Sequence, residues 1–214
     1  MEIKACIFDL DGVVVDTARY HYLAWKKLAE KLGINFTEND NERLKGVSRM
    51  DSLNIILEIG GVTISDKEKE KYADEKNKTY LSYILKMTPE DVLPGVSDFL
   101  TGVKKRGISI ALGSASKNAV TILEKVGLKD TFDAIVDGTK VSKAKPDPQV
   151  FLAAAAMLNV EPPGCVVFED AIAGVEAAHR AGMKCIGIGS PDLLSDADLV
   201  IEGFKNFKSE DLKF

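Results

Sequence analysis

The sequence predicts an α/β protein with a Rossmann-like parallel-sheet core and a helical domain inserted after the first strand. Three observations predict it. From Leu93 onward, apolar runs of strand length alternate with helical patterns, the grammar of a parallel sheet covered on both faces. A similar run near the N-terminus is separated from these by a long stretch with helical periodicity and no strand signal. Several apolar runs end abruptly in polar residues, at the place where open α/β sheets carry their chemistry.

The first run, Lys4–Phe8, is too short for a helix and stops at Asp9, with Gly12 close behind, so it reads as a buried strand. Between Tyr20 and Leu32 the apolar residues Tyr22, Leu23, Trp25, Leu28, Ala29 and Leu32 recur at helical spacing until Gly33 ends the pattern. Helical patterns continue over Ser48–Ile59, Ser65–Lys78 and Lys78–Lys86. Beyond Leu93-Pro94-Gly95 the expected order is helix 96–106, strand 108–112, helix 118–126, strand 134–136, helix 148–158, strand 165–168, helix 173–181, strand 184–188 and a last apolar run at 199–201. The expected division is a core of residues 1–15 and 92–214 and a helical insert of residues 16–91. A chain of 214 residues is long for one compact domain and short for two full ones, which suits that division.

Composition narrows the function. Hydrophobic residues at 45% and charged residues at 29% describe an ordinary soluble globular protein. The net charge of −5 and the lack of a basic run argue against nucleic acid as a partner. No apolar run reaches membrane-spanning length and the N-terminus lacks a signal-peptide pattern, so the expectation is a cytoplasmic protein with no membrane partner. Cys6, Cys165 and Cys185 sit in or beside apolar runs without CxxC spacing and read as small core hydrophobes with free thiols.

Four strand ends carry candidate chemistry. After the first come Asp9 and Asp11, two carboxylates that can converge on one point; a hard cation such as Mg2+ would balance them, while an Asx turn before Gly12 would also account for them. After the second comes Ser114-Ala115-Ser116-Lys117-Asn118, with hydroxyls and N–H groups at a helix start, an anion site or a simple N-cap. After the third come Lys143 and Lys145, either of which could neutralise phosphate charge or stay solvated. After the fourth come Glu169 and Asp170, which could complete an oxygen-lined metal site or cap the next helix. Each set has an ordinary structural explanation. Together and in this order they provide what phosphoryl transfer needs: a nucleophile, a proton donor, and charges that neutralise the transferring oxygens.

These residues resemble, in order, the four motifs of the haloacid dehalogenase-like superfamily. The likeness rests on Phe8-Asp9-Leu10-Asp11-Gly12-Val13-Val14-Val15-Asp16-Thr17, Ser114, Lys145-Pro146 and Glu169-Asp170. It lies in the subgroup whose helical cap follows the first strand, and it selects Lys145 over Lys143. Further segments resemble the parts of the superfamily's sugar phosphomutases that grip substrate. They are Asp16 to His21 with Trp25, Leu44-Lys45-Gly46-Val47-Ser48-Arg49 followed by Asp51-Ser52-Leu53, Lys76-Asn77, and Ser114 to Asn118. A departure is Gly113, where many relatives carry a bulkier residue.

The resemblance implies a mutase that acts on a phosphorylated sugar. Asp9 is the implied nucleophile and Asp11 the acid and base, with Ser114, Lys145 and Thr17 completing the catalytic set. Mg2+ is implied on Asp9, Asp11 (through its backbone carbonyl), Glu169 and Asp170. Substrate is implied on His21, Trp25, Gly46, Val47, Ser48, Arg49, Ser52, Lys76 and Ser114 to Asn118, with Arg49 as the fork for a distal phosphate and His21 helping to position Asp11. From spacing alone His21 and Lys76 read as a packed or surface residue and a solvated one; His179 receives no role. The expected assembly is a monomer. The competing readings are a sugar-phosphate or phosphoglycolate-type phosphatase of the same superfamily, which needs no distal clamp, and a receiver-like or nucleotide-binding module. The missing glycine-rich phosphate loops and the long helical insert disfavour the second.

Overall fold

The structure is a computed structural model and describes residues 2–44 and 47–214. Among these residues six strands form one sheet: β1 (Ala5–Phe8), β2 (Ser109–Gly113), β3 (Ala134–Val136), β4 (Cys165–Glu169), β5 (Lys184–Ile188) and β6 (Leu199–Ile201). All neighbours pair in parallel, in the order β3-β2-β1-β4-β5-β6. Among the described residues eight α-helices accompany them: α1 (Ala18–Lys31), α2 (Glu38–Glu42), α3 (Arg49–Gly60), α4 (Asp66–Ile84), α5 (Val96–Lys105), α6 (Ala119–Lys125), α7 (Gln149–Leu158) and α8 (Ile172–Arg180).

The two faces of the sheet carry different side chains, because successive residues of a strand point to opposite sides. One face presents Cys6, Phe8, Ile110, Leu112, Val166, Phe168 and Ile186 to Phe99 and Leu100 of α5 and Ile122 and Leu123 of α6. Phe8 stacks on Phe168 with ring centroids 4.6 Å apart, and truncating such a buried aromatic costs about 3–5 kcal/mol. The other face presents Ala5, Ile7, Ala111, Cys165 and Val167 to the alanine-rich helices α7 and α8. Small residues on both partners let those helices sit close to the sheet. All three cysteines are buried free thiols.

The helical segment builds a separate core from Trp25, Leu28 and Ala29 of α1, Ile34, Phe36, Leu53, Ile56 and Leu57, and Ala73 of α4. Lys31 on α1 reaches both carboxylate oxygens of Glu75 on α4 at 2.7 Å. Two chain crossings join this segment to the sheet. They lie side by side: Val15 bridges to Val92, and the Leu93 N–H donates to the Val14 carbonyl at 3.0 Å.

Two expectations are corrected here. The patterns over 65–78 and 78–86 belong to the single helix α4, 19 residues long, whose buried stripe Ala73, Lys76, Tyr80 and Ile84 keeps helical spacing throughout. The short helix α2 lacks an apolar stripe and so gave no periodic signal; its start is set by a capping box between Thr37 and Asp40.

Candidate active site

The strand order reverses direction at β1, so the crevice beyond the carboxyl ends of β1, β2 and β4 is the expected place for a site. Register brings its residues together. Phe8 pairs with Phe168 and with Leu112, which sets Asp9 beside Glu169 on one side and beside the start of the Ser114 loop on the other. Asp9, Glu169 and Asp170 each offer a carboxylate oxygen, and these oxygens all lie within 4.8 Å of one another.

A buried cation holds this cluster together. Lys145, 6% exposed, donates to Asp9 Oδ1 at 2.5 Å and to Glu169 Oε2 at 2.8 Å. Burial opposes its charge, but the two carboxylates outweigh burial and hold the ammonium above the ordinary lysine range. Lys143 is exposed and pairs instead with Asp147 at 3.2 Å. Glu169 Oε1 accepts the N–H groups of Asp170 and Ala171, so Glu169 anchors the start of α8 while it grips Lys145. Burial pushes its carboxyl up, against the pull of Lys145. Space for that carboxylate exists because position 174 is glycine: a Cβ there would lie 2.0 Å from Glu169 Cδ.

Asp11 stands beside Asp9 and accepts a short hydrogen bond from the fully buried Thr17 hydroxyl. Burial, aided by the negative charge of Asp9, raises its carboxyl to about 6, so near neutral pH it can both give and take a proton. The Ser114 loop is more self-contained than expected. Ser114 Oγ accepts the Ser116 N–H at 3.1 Å and Ser116 Oγ accepts the Asn118 N–H at 3.3 Å. These N–H groups are therefore spent on the loop and are not free for an anion. Gly138 closes against this loop, where a Cβ would lie 2.1 Å from the Ala115 carbonyl oxygen.

A cavity of about 780 Å³ opens over these residues and is roofed by the helical segment. The roof includes His21, Trp25, Val47, Ser48, Arg49, Ser52, Lys76, Asn77 and Tyr80, and the floor Asp9, Asp11, Ser114 to Asn118, Lys145, Glu169 and Asp170. The roof carries Arg49 and Lys76 beside Glu70 and Asp74. Lys76 is 3% exposed, lies 4.6 Å above the Trp25 ring and 4.8 Å from the Tyr80 ring, and sits 2.9 Å from His21 Nδ1. Burial, and then the nearby Arg49 charge, lower Lys76 to about 7. Burial, reinforced by Lys76 and Arg49, holds His21 well below the ordinary range, so its ring is neutral. A neutral ring whose Nδ1 accepts from Lys76 carries its proton on Nε2, an atom that is buried without a partner among the described residues.

The resemblance implies that His21 helps to position Asp11. In the structure the Thr17 hydroxyl donates to Asp11, and His21 Nδ1 lies 2.9 Å from the Lys76 ammonium. Ser48 lines the cavity but spends its hydroxyl on the α3 cap, donating to Asp51 Oδ2 at 2.6 Å. Gly46 lies outside the described residues. Tyr80 carries no sequence-level signal of its own, although it follows Lys76 by one helical turn and shares its buried stripe, a spacing that points to it. At the end of β3, Asp137 is buried and turns the following loop by accepting the Thr139 N–H at 3.0 Å.

The chemistry of this donor set, hard carboxylate oxygens crowded at one point, suits a small divalent cation. Comparison with known proteins agrees with the geometry. A model of the haloacid dehalogenase-like hydrolases matches residues 3–182. A β-phosphoglucomutase from Bacillus subtilis is 49% identical over 201 residues, covering 93% of this chain and 89% of that protein. A phosphorylated carbohydrates phosphatase from Thermotoga maritima is 35% identical, covering 94% of this chain and 91% of that one. The crystal structure of a β-phosphoglucomutase from Clostridium difficile superposes with a TM-score of 0.93 at 47% identity, covering 97% of this chain and 94% of that one.

Proposed function

The chain belongs to the haloacid dehalogenase-like hydrolase family, and from that premise we propose that it is a Mg2+-dependent β-phosphoglucomutase. It interconverts β-glucose 1-phosphate and glucose 6-phosphate through an aspartyl phosphate and a β-glucose 1,6-bisphosphate. The observation that carries this reading is that cations line the cavity at both ends. Lys145 lies with Asp9, Asp11, Glu169 and Asp170 on the floor, while Arg49 and Lys76 line the roof beside Glu70 and Asp74. A sugar bearing a phosphate at each end needs both poles; a monophosphate ester needs one. The 49% identical relative supports the same choice.

In the forward step an Asp9 carboxylate oxygen forms a bond to phosphorus as the bond between phosphorus and the leaving oxygen breaks. Asp11 gives that oxygen its proton and takes one back from the hydroxyl that attacks the phosphoaspartate. Thr17 holds Asp11 by its short hydrogen bond. Lys145 orients Asp9, and with Ser114 and the Ala115 N–H neutralises the transferring oxygens. Mg2+ would be held by the Asp9 and Asp170 carboxylates, Glu169 and the Asp11 backbone carbonyl, and would neutralise phosphoryl charge there. Arg49, with Ser116, Lys117 and Asn118, takes the distal phosphate, and Lys76, Trp25, His21, Ser52, Val47 and Ser48 line the sugar space.

The test is incubation with β-glucose 1-phosphate, Mg2+ and a trace of β-glucose 1,6-bisphosphate, following glucose 6-phosphate against inorganic phosphate. Glucose 6-phosphate is expected as the main product, with turnover lost in excess EDTA. Inorganic phosphate released without glucose 6-phosphate would replace the mutase by a phosphatase.

A further inference from the structure

We propose that Asn77, on the roof helix α4, is a positioning residue that holds the Asn118 carboxamide at the distal-phosphate end of the cavity. The proposal rests on the mutase reading for what Asn118 binds, and on geometry for the contact itself.

Asn77 and Asn118 are 41 residues apart and belong to different parts of the molecule. Asn118 Nδ2 donates to Asn77 Oδ1 at 3.1 Å. It crosses the cavity away from the two chain crossings. Both side chains are half-buried and both line the cavity.

The position of Asn77 follows from its helix. Lys76 precedes it on the buried stripe of α4 and is held by Trp25, Tyr80 and His21. One residue further round the helix, Asn77 faces the rim of the cavity and the loop after β2. At the other end, Asn118 starts α6, with its backbone N–H already bonded to Ser116 Oγ. Its backbone is therefore placed by the loop, while its side-chain torsions are set by Asn77.

An amide nitrogen carries two protons. Asn77 takes one from Asn118 and fixes the plane of the carboxamide, so the second proton has a defined direction. A phosphate oxygen in that direction would meet a donor that has already lost its rotational freedom, which lowers the ordering cost of binding. The contact exists when roof and floor are together. Asn77 therefore ties the approach of the roof to readiness of the distal site, and a phosphate ester without a distal phosphate gains nothing from it.

Three measurements on the full chain test this. Asn77→Ala, on a helix where alanine is well tolerated, is expected to raise KM for β-glucose 1-phosphate about 3- to 10-fold, the range of one neutral hydrogen bond. kcat and acetyl phosphate hydrolysis are expected to change less than about 2-fold on the same arithmetic. In an Asn118→Ala background, Asn77→Ala should add nothing, since the shared contact is already gone. The Asn118 side-chain amide resonances should shift when Asn77 becomes alanine or leucine. A KM unchanged by Asn77→Ala, effects of the two substitutions that multiply independently, or unmoved Asn118 amide resonances would each overturn the proposal. Wild-type protein that makes no glucose 6-phosphate would sink the mutase reading, and the distal-phosphate role with it. Wild-type mutase activity matched in full by Asn77→Ala would sink the proposal alone.

Discussion

The Lys145 ammonium lies 2.5 Å from Asp9 Oδ1, with both side chains nearly sealed from solvent. The pair is joined by Glu169, so one lysine serves two carboxylates separated from it by 136 and 24 residues. Replacing Lys145 by methionine leaves those acids facing each other in a dry site. We expect Lys145→Met to lower kcat/KM by at least about 100-fold on both β-glucose 1-phosphate and acetyl phosphate, because the lost charge acts on the transferring group in each case. Metal-free protein should also lose about 3–5 kcal/mol in urea unfolding, the cost of stripping one partner from a buried ion pair. Near-normal turnover would show that Lys145 only fills space.

Arg49 acts at the other pole. It is the first residue of α3, half-buried, and lines the cavity roof. A charged hydrogen bond to a distal phosphate contributes about 1.5–3 kcal/mol, so Arg49→Ala should lower kcat/KM on β-glucose 1-phosphate by roughly one to two decades. Acetyl phosphate has no distal phosphate and should lose little. Equal losses on both substrates would assign Arg49 to the fold; no loss on the sugar would favour the phosphatase alternative.

Gly174 gives a prediction whose sign is unusual. It lies within α8, where glycine to alanine ordinarily stabilises a helix by about 1 kcal/mol. Here the added methyl would sit 2.1 Å from Glu169 Oε2. Glu169 must then move and release Lys145. Gly174→Ala is expected to lower both Tm and kcat, measured by thermal melting and the coupled mutase assay. A raised Tm with full activity would show that Glu169 has room the structure does not display.

Lys76 carries a pH signature. Its folded value of about 7 lies below its ordinary 10.5, so the folded protein sheds the proton first. Below about 7 both folded and unfolded chains hold the proton, and the full cost of burying the charge is present. Between about 7 and 10.5 unfolding takes up a proton, so stability rises with pH, by at most about 1.4 kcal/mol per unit. Lys76→Met removes this dependence. In substrate-free protein it should stabilise strongly at pH 6 and progressively less towards pH 10, followed by urea unfolding at each pH. A pH-independent difference between the two proteins would mean that Lys76 does not titrate in this window.

Whereas α2 and the unbroken length of α4 are not legible along the chain, the order of the strands and of the helices between them, the helical nature of the segment after β1, and which strand ends carry acids, hydroxyls and lysines all are. Those features are local: a period of two or of 3.6 residues and an abrupt change from apolar to polar can be read along the chain. Which of those residues meet is set by packing and register. Parallel register set Asp9 beside Glu169, and the loop after β3 then carried Lys145 between them while Lys143 stayed in solvent. Lys76 is the clearest case. Along α4 it is one charge among many, and spacing assigns it to a solvated face. Packing of α4 against α1 buries it over Trp25 and Tyr80, beside His21. Burial and ring contacts are properties of two helices together, and neither helix states them alone. The same holds for Asn77 and Asn118, whose hydrogen bond joins segments that no local pattern connects.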